Sequence, residues 1–167
     1  RPERANPSKK RVILFSPHPD DDVISMGGTF SKLIKQGHEV HVVYQTSGNI
    51  AVTDDEALKF AEVCNDFVGE DENKINFKAV IDFLKNKGEN QIDSLEVRKL
   101  KGLIRRRESY AAVRYIGLKD ENAHFLDLPF YETGQVKKNP IGAIDIDIVA
   151  DIIAKINKRR TFNRPLE

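Results

Sequence analysis

The chain has 167 residues, with 27 Lys and Arg against 26 Asp and Glu, for a net charge of +1. Balanced charge gives no bulk attraction for nucleic acid or a membrane surface, and no apolar run is long enough for a membrane span. The one cysteine, Cys64, has no partner for an intrachain disulfide, which fits a reducing, cytoplasmic setting.

The length suits one domain, expected over residues 11–158. Residues 1–10 hold two prolines and several charges with no apolar period, so they read as a linker or tail. Val12 to Phe15 is a short apolar run of the kind that forms a buried parallel strand. Ser16-Pro17-His18-Pro19-Asp20-Asp21-Asp22 follows it. Pro19 keeps His18 extended and suits the first position of a helix, whose positive N-terminus favours the aspartates. An imidazole and carboxylates then project together from a strand's C-terminal end, where open α/β sheets place their sites. His18 and Asp21, three residues apart, can share a metal.

A helix is predicted over about 22–36, with Ile24, Phe30, Leu33 and Ile34 on one face and Gly37 as its stop. Glu39 to Gln45, rich in Val and Tyr, is the second parallel strand, which completes a βαβ unit. Thr46-Ser47-Gly48-Asn49 comes next, on the same sheet edge as His18. It is either an ordinary strand-to-helix turn or a set of donors and acceptors for a sugar or acetyl group. Thr53 opens a helix to about Val68, in which Cys64 pairs with Phe60 and Phe67 as a small core residue. A second amphipathic helix, about 73–87, completes a helical insertion. A long helix over about 94–115 carries Arg105-Arg106-Arg107-Glu108. His124 to Leu128 reads as a strand, with a long loop from Pro129 to Pro140 beyond it, so Asp127, Tyr131 and Glu132 are expected at the pocket border. His124 falls at its strand's opposite end and is a poor candidate for a metal, while His38 and His41, near the start and middle of theirs, are read as structural or exposed. A last helix spans 145–158, and residues 159–167 form a tail whose final Leu166-Glu167 has the look of a vector-derived junction.

The strand, the PHPDDD stretch, Met26-Gly27-Gly28 and the following helix together resemble the PIG-L / LmbE-like family of zinc-dependent N-deacetylases. The chain is more similar still to the LmbE-like domain that some bacteria carry C-terminal to a glucosamine-6-phosphate deaminase-like domain. The likeness runs from about Lys10 to about Asn157 and takes in Tyr44 to Asn49, Arg105 to Ser109 and His124 to Gly134. It implies a Rossmann-like, mostly parallel α/β fold and a zinc-dependent hydrolase that removes acetate from an N-acetylglucosamine-type sugar or conjugate. By this resemblance His18 and Asp21 ligate Zn2+, while Asp20 is the general base that later protonates the amine. The family's Arg-x-x-Glu pattern falls on Arg105 and Glu108, so Arg105 is the first choice for substrate contact and Arg106 the second. Asp22 stands where the family often has Glu and is given a supporting role, as is Asp127.

The family's third zinc ligand is a histidine in a motif past the last helix, and this sequence has no such motif. The expectation is therefore a domain lacking its last strands, a chain that binds zinc weakly and is inactive alone, and an uncovered sheet edge that favours an oligomer or swapped dimer. Expected partners are a small amino-sugar substrate and an upstream deaminase domain, with no nucleic acid or membrane. The rival reading is a non-catalytic, sugar-phosphate-sensing regulatory domain fused to a deaminase. A dinucleotide-binding module is disfavoured because no Gly-x-Gly-x-x-Gly follows the first strand.

Overall fold

Strand β1 runs Arg11–Ser16 and β2 runs Glu39–Tyr44, paired in parallel with Arg11 opposite Glu39 and Ser16 opposite Tyr44. They belong to a computed structural model that describes residues 9–68, 76–129 and 143–158. Strand β3, Ala123–Phe125, pairs in parallel on the other side of β2, giving the order β1-β2-β3. The central strand is buried from Val40 to Tyr44, which explains why its sequence reads as an apolar run instead of an alternation. The fold is α/β: an open, Rossmann-like parallel sheet flanked by helices.

Between β1 and β2 the chain forms two helices, α1 (Asp21–Ile24) and α2 (Gly27–Lys35), where the sequence predicts one. The break falls before Gly27-Gly28, residues that each weaken a helix by about 1 kcal/mol. The second helix restarts where the Phe30 N–H bonds to the Met26 carbonyl (2.8 Å). Ile24 is 77% exposed and so leaves the predicted apolar face, whereas Phe30 is fully buried, worth about 1.5–3 kcal/mol. Gly37, at φ 75°, ends this segment as expected.

Helices α3 (Asp54–Val68) and α4 (Phe77–Asn86) pack on α5 (Leu95–Tyr115) through Val52, Ala57, Ala61, Val80, Leu84 and Val97, a cluster without any strand residue. This is the helical insertion read from the sequence. Thr53, Asn76 and Ser94 cap the three helices by accepting the N–H of Glu56, Ala79 and Val97. The start predicted for α4, residues 73–75, lies outside the described residues. Cys64 is only half-buried, with Phe60 46% and Phe67 91% exposed, so the face read as core is not. Ala57 and Ala61 carry the core instead, because their small side chains let the helices approach.

Helices α2 and α5 cover one face of the sheet through Phe30 and Val113, and α6 (Ala143–Lys158) covers the other through Ile152 and Ile156 on Val43. Arg11 donates to the Ile156 carbonyl (2.5 Å) and ties the negative end of α6 to β1. Strand β3 is shorter than the predicted 124–128, because Asp127 adopts φ 47°. The ladder nonetheless persists, with Leu126 and Leu128 N–H bonding the Tyr44 and Gln45 carbonyls. His41 is buried, with its Nδ1 3.1 Å from His124 Nε2, while His38 accepts the Lys10 N–H; all three histidines lie away from the strand C-terminal edge. Among the described residues, no helix is long and apolar enough to cross a membrane.

Candidate active site

The turn after β1 is held from below by buried hydroxyls. Ser16 Oγ donates to the His18 carbonyl (2.6 Å) and accepts the Asp22 N–H (3.0 Å). Thr46 Oγ1 donates to the Pro17 carbonyl (2.8 Å), and Ser109 Oγ, from α5, donates to the Pro19 carbonyl (2.8 Å). The phenol of Tyr44, at the end of β2, donates to Asp22 Oδ2 (2.9 Å). Burial pushes the Asp22 carboxyl up, an effect that the Tyr44 bond partly offsets. Burial, and then the charge of Asp22, push the Tyr44 phenol well above its ordinary range. Asp22 therefore faces inward, supporting the turn from beneath.

On the outer side of the turn, the His18 N–H donates to Asp21 Oδ2 (3.0 Å), and His18 Nδ1 lies 3.0 Å from the same oxygen. A carboxylate only accepts, so Nδ1 carries the proton in this contact. Both side chains are partly exposed. Asp20 points to the other side, where its Oδ2 accepts Arg105 Nη2 (2.7 Å). Arg105 also donates to Glu108 Oε2 (2.5 Å), and its buried Nε has no hydrogen-bond partner among the described residues.

His18, Asp20 and Arg105 line a cavity of about 310 Å³, together with Thr46, Gly48 and Asn49. Gly48 has φ 67°, and a Cβ there would lie 2.6 Å from Pro19 Cδ, so glycine is required for the two turns to meet. Ser47 Oγ donates to Asn49 Oδ1 (2.9 Å), and Asn49 is buried in the cavity wall. Six of the residues singled out in the sequence thus gather at one edge: His18, Asp20, Asp21, Ser47, Asn49 and Arg105. Arg106 and Asp127 pair with each other beside a neighbouring groove, with the guanidinium of Arg106 4.7 Å over the Phe125 ring. Tyr131 and Glu132 lie outside the described residues.

Sequence reasoning missed Tyr44 and Ser109 as supports. Ser109 stands four residues after Arg105, one helical turn along the same face, and that spacing was the available signal. The donor set fits zinc in part. His18 and Asp21 supply a nitrogen and an oxygen of the types zinc takes, but among the described residues no three metal-ligating side chains converge.

Two curated relatives bear on this arrangement. A glucosamine-6-phosphate deaminase-like protein of Bacteroides thetaiotaomicron is 48% identical over 168 residues, covering 97% of this chain and 25% of the relative. A diacetylchitobiose deacetylase of Thermococcus kodakarensis is 43% identical over 47 residues, covering 28% of this chain and 18% of the relative. The chain thus spans a quarter or less of the length of these proteins. No solved structure matches it. A family match running over residues 13–162, from β1 through the PHPDDD turn and past α6, shows that the chain belongs to the PIG-L (GlcNAc-PI de-N-acetylase) family.

Proposed function

We propose that residues 11–158 form a cytoplasmic, zinc-dependent hydrolase domain that removes the N-acetyl group from an N-acetylglucosamine-type sugar or conjugate. The observation that carries this reading is one cavity lined by His18, the Asp20 carboxylate and the Arg105 guanidinium, with Asp21 bonded to His18 at its edge. The family and the Thermococcus relative support the reaction class. The name of the Bacteroides relative supports a link to glucosamine-6-phosphate chemistry.

Amide hydrolysis needs a nucleophilic water, a polarised carbonyl, a base for the water's proton and an acid for the leaving amine. His18 and Asp21 would hold the zinc, which when bound polarises the carbonyl and makes water a usable nucleophile near neutral pH. Asp20 takes the water's proton and returns it to the amine nitrogen. Arg105 holds Asp20 in line through its 2.7 Å bond and offers its remaining donor face to substrate hydroxyls. Asn49, buried in the wall of the same cavity, is a second candidate for substrate contact. Asp22 takes no proton and supports the turn.

With two donors among the described residues, this chain alone is expected to bind zinc weakly and to turn over near background. A longer form that adds a histidine donor beyond Lys158 should be active. The test is acetate release from N-acetylglucosamine and its short oligomers by the zinc-loaded longer form, with Asp20→Asn as control. No release from any substrate with zinc bound would overturn the proposal. The two-donor set favours a second reading, a regulatory sugar-phosphate sensor, under which Asp20→Asn would leave ligand response and effects on a partner domain intact.

A further inference from the structure

Asn49–Ala51 is a single 3₁₀ turn in the cavity wall, and Ile50 and Ala51 line the cavity beside Asn49. The turn is fixed at both ends. Gly48 takes the left-handed conformation before it, at φ 67°, and Asn49 is buried. The Ala51 and Val52 N–H groups donate to the Gly48 and Asn49 carbonyls (3.1 and 3.2 Å). Val52, only 3% exposed, anchors the far end in the core of the helical insertion. Ile50 itself is 47% exposed and belongs to none of the apolar clusters formed by the described residues. A lone isoleucine on an open surface needs no explanation. This one lines the same cavity as Asp20 and Arg105, on a fixed turn, and its β-branched side chain is stiff at χ1. It is a preformed apolar patch in a site whose other side chains are mostly polar, the mixture by which small-molecule pockets orient a ligand.

An N-acylated amino sugar presents hydroxyls and an amide, and its one wholly apolar substituent is the carbon chain of the acyl group. His18, Asp20, Asn49 and Arg105 supply polar partners for the amide and the hydroxyls. Ile50 and Ala51 supply hydrocarbon, against which each buried methylene strengthens binding about fourfold. We propose that Ile50, with Ala51, forms the acyl subsite of this cavity and sets which N-acyl chains fit. The inference rests on the reading of the cavity as an N-acyl amino-sugar site, and it adds the group selected there, a short alkyl chain bounded by a stiff side chain.

The test is calorimetric titration of the chain with N-formyl-, N-acetyl-, N-propionyl- and N-butyrylglucosamine, and with glucose, for the wild type, Ile50→Ala and Ile50→Phe. Both variants are expected to fold, because Ile50 lies outside the core clusters. The wild type should bind the acetyl sugar about fourfold tighter than the formyl sugar. Ile50→Ala should move the preferred chain length up, with the propionyl or butyryl sugar gaining at least about fourfold relative to acetyl. Ile50→Phe should move it down, with the butyryl sugar losing at least about tenfold relative to acetyl. Glucose, which lacks the acylamino group, should bind all forms within about twofold of one another. An order of acyl chains that is the same in every form overturns the assignment. So does a change in glucose binding as large as that of the acyl sugars, which would place Ile50 against the sugar ring. Failure of the chain to bind any acyl sugar also overturns it. Because the readout is binding, opposite shifts in chain length without acetate release would sink the hydrolase reading and leave this inference standing. Acetate release with an unshifted acyl order would do the reverse.

Discussion

Replacing Tyr44 by Phe removes one hydroxyl and leaves the ring in place, stacked on Phe125 at 4.8 Å between centroids. The lost bond is the 2.9 Å contact to Asp22, a carboxylate that is 3% exposed and so largely shielded from solvent. A hydrogen bond to a charged group is worth about 1.5–3 kcal/mol, so the substitution should cost about 2 kcal/mol. For a domain of this size that lowers Tm by about 4–8 °C. The loss should also reach the metal pair, because Asp22 shares Ser16 with the His18 carbonyl. Residues that orient metal ligands typically affect affinity by about 10–100-fold, so zinc binding should weaken about tenfold. Urea unfolding and zinc calorimetry on Tyr44→Phe, Asp22→Ala and the double variant provide the check. The double variant should cost at least about 1 kcal/mol less than the two singles added together. Strict additivity, or a Tyr44→Phe cost below about 0.5 kcal/mol with unchanged zinc affinity, would refute the claim that this pair holds the turn.

Arg105→Lys loses the guanidinium fork between Asp20 and the cavity, so kcat/KM should fall in the active form. An unchanged value, with Arg106→Lys harmful, would move the substrate contact to Arg106. Gly48→Ala places a methyl against Pro19 at a positive φ, which should destabilise by at least about 2 kcal/mol in urea unfolding. Lys101 is 4% exposed and bonds both Asp54 (2.5 Å) and Asp93 (2.8 Å), so Lys101→Met should cost about 2 kcal/mol, discounted for the exposure of Asp54. Burial pushes the Asp54 carboxyl up, but bonds from Lys101 and Lys87 outweigh it and hold the pKa below its ordinary value. The stability this gives is complete above the unfolded value of about 4 and is lost as pH falls through the lower folded value. Asp54→Asn should therefore flatten the acid limb of a stability–pH curve, and an unchanged limb would assign acid lability elsewhere.

The sheet and the site turn were legible because their signals are local. An apolar run ending at Phe15, a proline after His18 and acidic residues at a helix start each constrain the backbone over a few residues. The capping residue Thr53 was legible for the same reason. What escaped depends on distant contacts. Nothing near Asp22 in sequence says that Tyr44, 22 residues on, holds its carboxylate. The periodicity of Phe60, Cys64 and Phe67 looks like a core face, yet alanines on another face decided which side packs. The three arginines were ambiguous because helix rotation alone sends them apart. Only the positions of Asp20 and Asp127 show which cavity each lines. The early end of β3 follows from the left-handed backbone at Asp127, a residue whose identity permits that conformation without demanding it.

The most direct test of the central claim pairs zinc calorimetry with acetate release from N-acetylglucosamine, for this chain, for a longer form with a histidine donor beyond Lys158, and for Asp20→Asn in that form. The account predicts weak zinc binding and background turnover for this chain, and tight binding with acetate release for the longer form. Asp20→Asn should keep the zinc affinity and lose at least about 100-fold in kcat, because it removes the proton carrier and leaves the His18–Asp21 pair in place. Undiminished turnover by Asp20→Asn, or no acetate from the longer form with zinc fully bound, would contradict it.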